Sequence, residues 1–192
     1  MSCEPGCAIC EQLRSAALEL IGEGGIEALS QGRLGEVVGR TPADVSEHYP
    51  TAAECLYDTY DKLACDVLRD MVDAFAEGGD WQSGFDLSRR RLLERMAANP
   101  AQARLCFVET TRGDRELRRR RDVTRRWIVE FLMCEHERRH EDEPLPAIQL
   151  EMLIGAGFQM ISSAVADGDA AELPDLEPKL AQVAGFFIPV RV

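Results

Sequence analysis

The chain has 192 residues, 45% of them apolar, enough to close one hydrophobic core or two small ones. Its longest apolar run, residues 152 to 165, is broken by Gln159, Ser162 and Ser163 and is shorter than the roughly 20 residues that span a bilayer, so no membrane partner is expected. The opening residues hold no basic stretch followed by an apolar core, so no secretory signal is expected and the cytoplasm is the default location, while a net charge of −12 argues against nonspecific attraction to nucleic acid.

Residues 1 to 8 show no periodicity and contain Pro5-Gly6, as a tail or loop does. A first helix is predicted from about residue 8 to 23, with Leu13, Ala17, Leu20 and Ile21 along one face. Gly24-Gly25 ends it, and Ile26 and Leu29 pack back. Ser30 caps a second helix, on which Leu34, Val37 and Val38 form an apolar stripe before Gly39 stops it. Thr41 caps a third, short helix with Pro42 at its first position, where a missing N–H costs nothing. Val45 and Tyr49 lie one turn apart on its inward face, and Pro50-Thr51 leads into a helix opening at Ala52. Two short helices joined by a tight glycine-containing turn make a helix-turn-helix, whose second helix can enter a DNA major groove.

A long helix follows to about residue 77, with Cys55, Leu56, Leu63, Val67, Met71, Val72 and Phe75 apolar. Gly78-Gly79-Asp80 breaks the chain, and helices are predicted over about 81–98 and 100–111, divided by Asn99-Pro100. After Gly113 another helix reaches about residue 139, carrying Leu117, Val123, Trp127, Ile128, Phe131 and Leu132. Residues 141 to 146 form a polar link. Two last helices are predicted over 146–166 and 175–190, joined by a Gly168/Pro174 loop. No stretch alternates as a strand would, so the fold class is all-α with about nine helices.

Residues 147 to 165 carry two apolar stripes, one of Leu153, Gly157, Phe158 and Ile161, the other of Ile148, Met152, Gly155, Ala156 and Ser163. Leu180, Val183, Ala184, Phe187 and Ile188 repeat the theme on the last helix. A hairpin apolar on two sides suits a two-fold four-helix interface between two copies, a thick monomer core being the alternative.

Ala16-Ala17-Leu18-Glu19-Leu20-Ile21, Gly24-Gly25-Ile26, Leu34, Gly39, Tyr49-Pro50 and Glu54-Cys55-Leu56 fall in one ordered series. The stretch from about residue 13 to 60 thereby resembles, without a gap, the N-terminal pattern of the TetR family of transcriptional regulators. Ala103-Arg104-Leu105, Val108-Glu109 and Glu172-Leu173-Pro174-Asp175-Leu176 resemble the ligand domain of an actinobacterial-type subgroup more loosely. The resemblance implies a helix-turn-helix domain over residues 1–51, including a Cys-rich tail, and a ligand-binding and dimerisation domain over 52–192. It implies a homodimer that binds double-stranded operator DNA, expected to act as a repressor, and is released by a small apolar effector.

DNA contact is then expected at Ser30, Arg33, Arg40, Thr41, Asp44, Ser46, Glu47 and His48. Ser30 and Thr41 match the family's capping positions, and His48 a position near the helix end. The sequence departs from the pattern where its small Thr is Asp44, its Tyr is Ser46 and its phosphate-binding Lys is Ala52. Residues 1 to 56 hold three basic side chains against nine acidic ones, half of the chain's net charge. Lys and Arg contacts to phosphate dominate affinity for DNA, and this stretch has few to offer. Asp and Glu can accept from cytosine N4, so an acidic reader is still workable. The rival reading is a degenerate scaffold that acts through a protein partner or as a thiol-based metal or redox sensor.

Cys3, Cys7 and Cys10 place three thiols within eight residues around Pro5-Gly6, a set able to hold Zn²⁺ or an Fe–S cluster, or else fortuitous in a tail. The spacing also occurs in the cluster loop of radical SAM enzymes, but no strand follows it here. The other cysteines, Cys55, Cys65, Cys106 and Cys134, sit in apolar helical patterns as small core residues do. Residues 112 to 126 contain eight arginines, which read as a solvated, salt-bridged face. Tyr57, Tyr60, Met71, Phe85, Met96, Phe107, Trp127, Phe131 and Phe158, with Trp81, come from the helices that the resemblance sets around a ligand pocket. Catalysis finds no nucleophile and base at a telling spacing, and His48, His136 and His140 read as surface residues, so no enzyme is expected.

Overall fold

The computed structural model describes residues 7–139 and 145–188. Cys3, His140 and the end of the last predicted helix lie outside the described residues.

Helix α1 (Ala8–Gly24) buries Cys10, Leu13, Ala16, Ala17, Leu20 and Ile21, the 3.6-residue stripe read from the sequence. A 3-10 turn (Ile26–Ala28) returns the chain to α2 (Gln31–Val38), where the Ser30 hydroxyl accepts from the Arg33 N–H at 3.2 Å. Gly39 closes α2 with φ of 68°, a left-handed conformation open to glycine at little steric cost. Helix α3 (Pro42–His48) starts from a complete capping box: the Asp44 N–H donates to the Thr41 hydroxyl, and the Asp44 carboxylate accepts from the Thr41 N–H at 3.0 Å. Val45 and Tyr49 turn inward onto Leu13, Leu34 and Cys55. Val37 departs from the expected stripe; it is 40% exposed, because Leu34 and Val38 alone meet the small core.

Helix α4 (Ala52–Glu77) has 26 residues, about 39 Å at 1.5 Å per residue. Its first turns belong to the N-terminal core through Cys55, its middle packs Leu56, Tyr60 and Leu63 against Ile21, Leu105 and Leu117, and its end reaches Trp81 and Phe85 through Phe75. Helix α4 therefore packs with both the N-terminal helices and those that follow it. Helix α5 (Trp81–Ala98), capped by Asp80, runs back along α4.

The next stretch is less regular than the sequence implies. A single turn, α6 (Pro100–Ala103), passes into a π-helical segment (Arg104–Glu109) and then α7 (Thr110–Arg112). The wider winding accompanies full burial of Leu105, Glu109 and Thr110 between α1 and the helices that follow. Helix α8 (Arg115–Glu137) and helix α9 (Ala147–Asp167) lie side by side. A 3-10 stretch (Ala170–Leu176) containing Pro174 precedes α10 (Glu177–Phe187), which explains why the last helix starts two residues later than predicted. With residues 100–112 counted as one interrupted helix, nine helices and no strand are present among the described residues.

Helix α9 is longer than the apolar run read from the sequence: its 21 residues meet the length and hydropathy of a membrane span, yet only 17% of its most apolar window is buried. Leu150, Leu153 and Ile161 face the core. Ile148 and Met152, 59% and 53% exposed, face away, as does Phe186 on α10 at 77%. Cys65 and Cys134 are exposed rather than core residues, and His48 and His136 are half-buried rather than on the surface.

Candidate DNA reader and effector cavity

Helix α3 is held from behind at both ends. At its start the capping box lowers the Asp44 pKa, chiefly through the hydrogen bond from the Thr41 backbone. At its end Tyr49 donates to Asp58 on α4, and Arg14 on α1 bridges the Tyr49 hydroxyl at 3.3 Å and Asp58 at 2.8 Å. Burial first, and the Asp58 carboxylate second, raise the Tyr49 pKa, so the phenol stays a donor. Gln31 donates to the Tyr49 and Pro50 carbonyls at 2.9 and 2.8 Å, tying the start of α2 to the end of α3. Gln31, Arg14 and Asp58 were not singled out from the sequence, because each acts over 9 to 44 residues of chain.

The outward face of α3 presents Ala43, Ser46 and Glu47. It is exposed, but only some of the expected contact residues are free to use it. Ser46 donates to the Pro42 carbonyl of its own helix at 2.8 Å, and Asp44 and Thr41 are occupied by the cap. Arg33 is drawn to Glu23 at 3.3 Å and Glu36 at 3.7 Å. Arg40 is exposed and makes no ion pair among the described residues, which leaves it the readiest cation beside the reader. His48 departs from expectation: it lies against the sulfurs of Cys7 and Cys10 instead of the outward face.

The second feature is a cavity of about 150 Å³ enclosed by α4, α5, the π-helical segment, α8, α9 and α10. Tyr60, Met71, Phe85, Met96, Phe107, Trp127, Phe131 and Phe158 line it, eight of the nine positions expected. Tyr57 does not; its hydroxyl turns to Asp114, and that bond raises its pKa to about 12. Trp81 is buried beside the cavity instead, stacked on Phe85 with its Nε1 donating to the Leu132 carbonyl at 3.2 Å. Cys106 reaches the lining from the π-helical segment, and burial raises its thiol to about 12, so it serves as an apolar wall.

The arginine run requires a correction. Several members do form the expected outer network, with Arg119 and Arg120 on Glu116 and Arg120 also on Asp61. Arg121 and Arg125, however, turn to the cavity wall and lie over the Phe158 ring at 5.9 and 5.4 Å. Arg121 is engaged by Asp122 at 2.7 Å and by the Thr110 carbonyl. Arg125 is half-buried and has no carboxylate within ion-pair distance among the described residues. Arg89, from α5, also lines the cavity but is neutralised by Asp86 and Glu177 at 2.9 and 2.8 Å.

A link joins the two features. Phe107 and Cys106 line the cavity from the π-helical segment, while Arg104 and Glu109 of that segment form a 2.8 Å pair against the end of α1. Gly25 has φ of 77°, and a Cβ there would fall 2.8 Å from both Arg104 and Glu109 side chains. Only glycine fits such a seat without displacing the pair.

This is the fold of the TetR-family transcriptional regulators. The structure superimposes on fatty acid degradation regulator FadR from Bacillus halodurans with a TM-score of 0.82 at 14% identity, over 98% of this chain and 99% of that one. FadR from Bacillus subtilis, solved with stearoyl-CoA, gives 0.77 at 16% identity over 94% and 99% of the two chains. The SmeT–triclosan complex gives 0.74 at 17% identity over 93% and 91%. No family model matches the sequence, and no curated protein sequence matches it.

Proposed function

We propose that this chain is a homodimeric transcriptional regulator of TetR type, acting in the cytoplasm as a repressor that an amphipathic effector releases from DNA. The observation that carries this reading is the combination, in one whole-chain TetR fold, of an outward short helix α3 and an enclosed cavity joined to it by α4. The exposed apolar positions Ile148, Met152 and Phe186 supply a hairpin face for a second copy. Two copies would set their α3 helices against successive major grooves about one helical turn apart.

The cavity favours a ligand with a long apolar part, and Arg125 favours an anionic group at its α8 end. An acyl thioester, the class held by the B. subtilis FadR complex, joins both features in one molecule. At about 150 Å³ the cavity is smaller than the roughly 300–1,000 Å³ of sites for drug-sized ligands, so a long chain must push lining side chains apart. Phe107 and Phe158, 5.2 Å apart, bridge the π-helical segment and α9 across it. Parting them would move the segment whose Arg104–Glu109 pair abuts α1, and with it the spacing of the two readers. Calorimetric titration of the full chain with a long-chain acyl-CoA and with the matching fatty alcohol tests the assignment. Tighter binding of the acyl-CoA supports it, and equal affinity, or none for either, overturns the anionic-effector reading.

A further inference from the structure

Helix α1 begins beside the last residue of α3. Cys7, the residue before the first turn of α1, places its Sγ 3.8 Å from His48 Nδ1, and Cys10, one turn on, places its Sγ 3.7 Å from the same nitrogen. The three donor atoms all lie within 4.8 Å of one another. A tetrahedral zinc ion with Zn–S near 2.3 Å and Zn–N near 2.0–2.1 Å sets sulfur and nitrogen ligands about 3.5–3.6 Å apart and two sulfurs about 3.8 Å apart. Each sulfur thus stands within about 0.3 Å of that spacing from the imidazole nitrogen. Soft sulfur with nitrogen is the donor set that zinc accepts and that calcium or magnesium does not.

Both residues lie at the start of α1, Cys7 as its N-cap and Cys10 at its third position. The Cys-x2-Cys spacing lets two side chains from one helical start converge, and the His arrives from an element 41 and 38 residues further along the chain. We propose that Cys7, Cys10 and His48 form a zinc site that fastens the start of α1 to the end of α3.

Cys10 is disulfide-bonded in this structure, so metal binding requires prior reduction. A phosphine supplies this step in vitro: it becomes a phosphine oxide with oxygen from water, while the disulfide takes up two electrons and two protons to give two thiols. Zn²⁺ then displaces the thiol protons as it binds. The site is thus open to zinc when reduced and closed when oxidised. Its consequence for DNA, a recognition helix fixed or loosened at its C-terminal end, rests on the regulator reading. The metal site does not.

The test uses the full chain, reduced by a phosphine, stripped by a chelator and held without oxygen. Titration with Zn²⁺ against a competing chromophoric chelator, and with Co²⁺ followed by absorption, is expected to give one metal per chain and the thiolate charge-transfer bands of a tetrahedral cobalt site. His48→Asn is expected to weaken zinc by at least about tenfold, the lower end of what even outer-shell partners cost, and Cys7→Ser to remove the charge-transfer intensity in part. Protein left oxidised should take up no stoichiometric metal until reduced. Failure of the reduced chain to bind one metal, or unchanged affinity in a folded His48→Asn, overturns the proposal. Should either variant not fold, X-ray absorption of the zinc-loaded parent chain decides: a shell of sulfur with imidazole nitrogen supports the site, and a shell without imidazole refutes it. All these readouts omit DNA, so failure of the metal site and failure of operator binding are separable.

Discussion

Replacing Arg125 with methionine is the sharpest probe of the cavity. The guanidinium stands 5.4 Å from the Phe158 ring and has no carboxylate within ion-pair distance among the described residues, so its removal leaves no described carboxylate orphaned. Methionine keeps an unbranched stem against Phe158, and stability should therefore move by no more than about 0.5 kcal/mol. A hydrogen bond to a charged partner is worth about 1.5–3 kcal/mol. Loss of that bond corresponds to roughly 10- to 150-fold in affinity, at about 1.4 kcal/mol per decade. Arg121 is poorly placed to compensate because Asp122 and the Thr110 carbonyl already hold it. Calorimetry of parent and variant with a long-chain acyl-CoA and with the matching fatty alcohol reads the difference, and Trp127 on the cavity wall gives a fluorescence signal in parallel. The variant should weaken the anion by one to two decades and the alcohol by less than about threefold. Equal losses for both ligands, or no loss for the anion, would refute a charge-reading role for Arg125.

Thr41→Ala removes the hydroxyl cap of α3 and should cost about 1 kcal/mol, seen as a lower denaturant midpoint with an unchanged slope. Because the folded state holds the Asp44 carboxyl below its usual range, its contribution is complete above the unfolded pKa of about 3.9 and disappears as pH falls through the lower folded value. The melting difference between the parent and Asp44→Ala should accordingly persist from pH 5 to 7, on the order of these limits, and shrink only in stronger acid. Arg104→Ala strands the buried Glu109; since Arg104 keeps a third of its side chain in water, the loss should be about 2 kcal/mol, below the 3–5 of a fully buried pair, as measured by urea unfolding. Ile148→Glu with Met152→Glu should convert a two-copy species to a single copy in light scattering after gel filtration, without loss of helical circular dichroism.

The elements legible in the sequence are those decided by local chemistry. Ser30, Thr41, Pro42 and Gly39 act within their own turn, so the limits of α2 and α3 follow from residue type alone. The spacing of Leu13, Ala17 and Leu20 likewise fixes the buried face of α1. The Thr41–Asp44 cap was equally local, yet Asp44 reads as a base-contacting residue when the helix-turn-helix frame is imposed first. Less legible is whatever depends on packing between distant helices. Seven of the eight arginines in residues 112–126 lie around α8, and only the position of Phe158 on α9 selects Arg121 and Arg125 for the cavity. The π-helical winding of residues 104–109 accompanies burial of Glu109, which no periodicity announces. His48 meets Cys7 and Cys10 only because α3 folds back across the start of α1.

Operator binding by an acidic helix-turn-helix is tested most directly by a salt series of anisotropy titrations with the full chain and the DNA flanking its own coding region. With Arg40 in no ion pair among the described residues and Arg33 tied to Glu23 and Glu36, a dimer offers two to four phosphate contacts, for a slope of log affinity against log salt near −2 to −4 at about 0.9 per phosphate. A saturable complex at about 50 mM salt with that shallow slope, of two chains per site and dissolved by a long-chain acyl-CoA, is the expected result. No sequence-specific complex even at about 50 mM salt would contradict operator binding by α3.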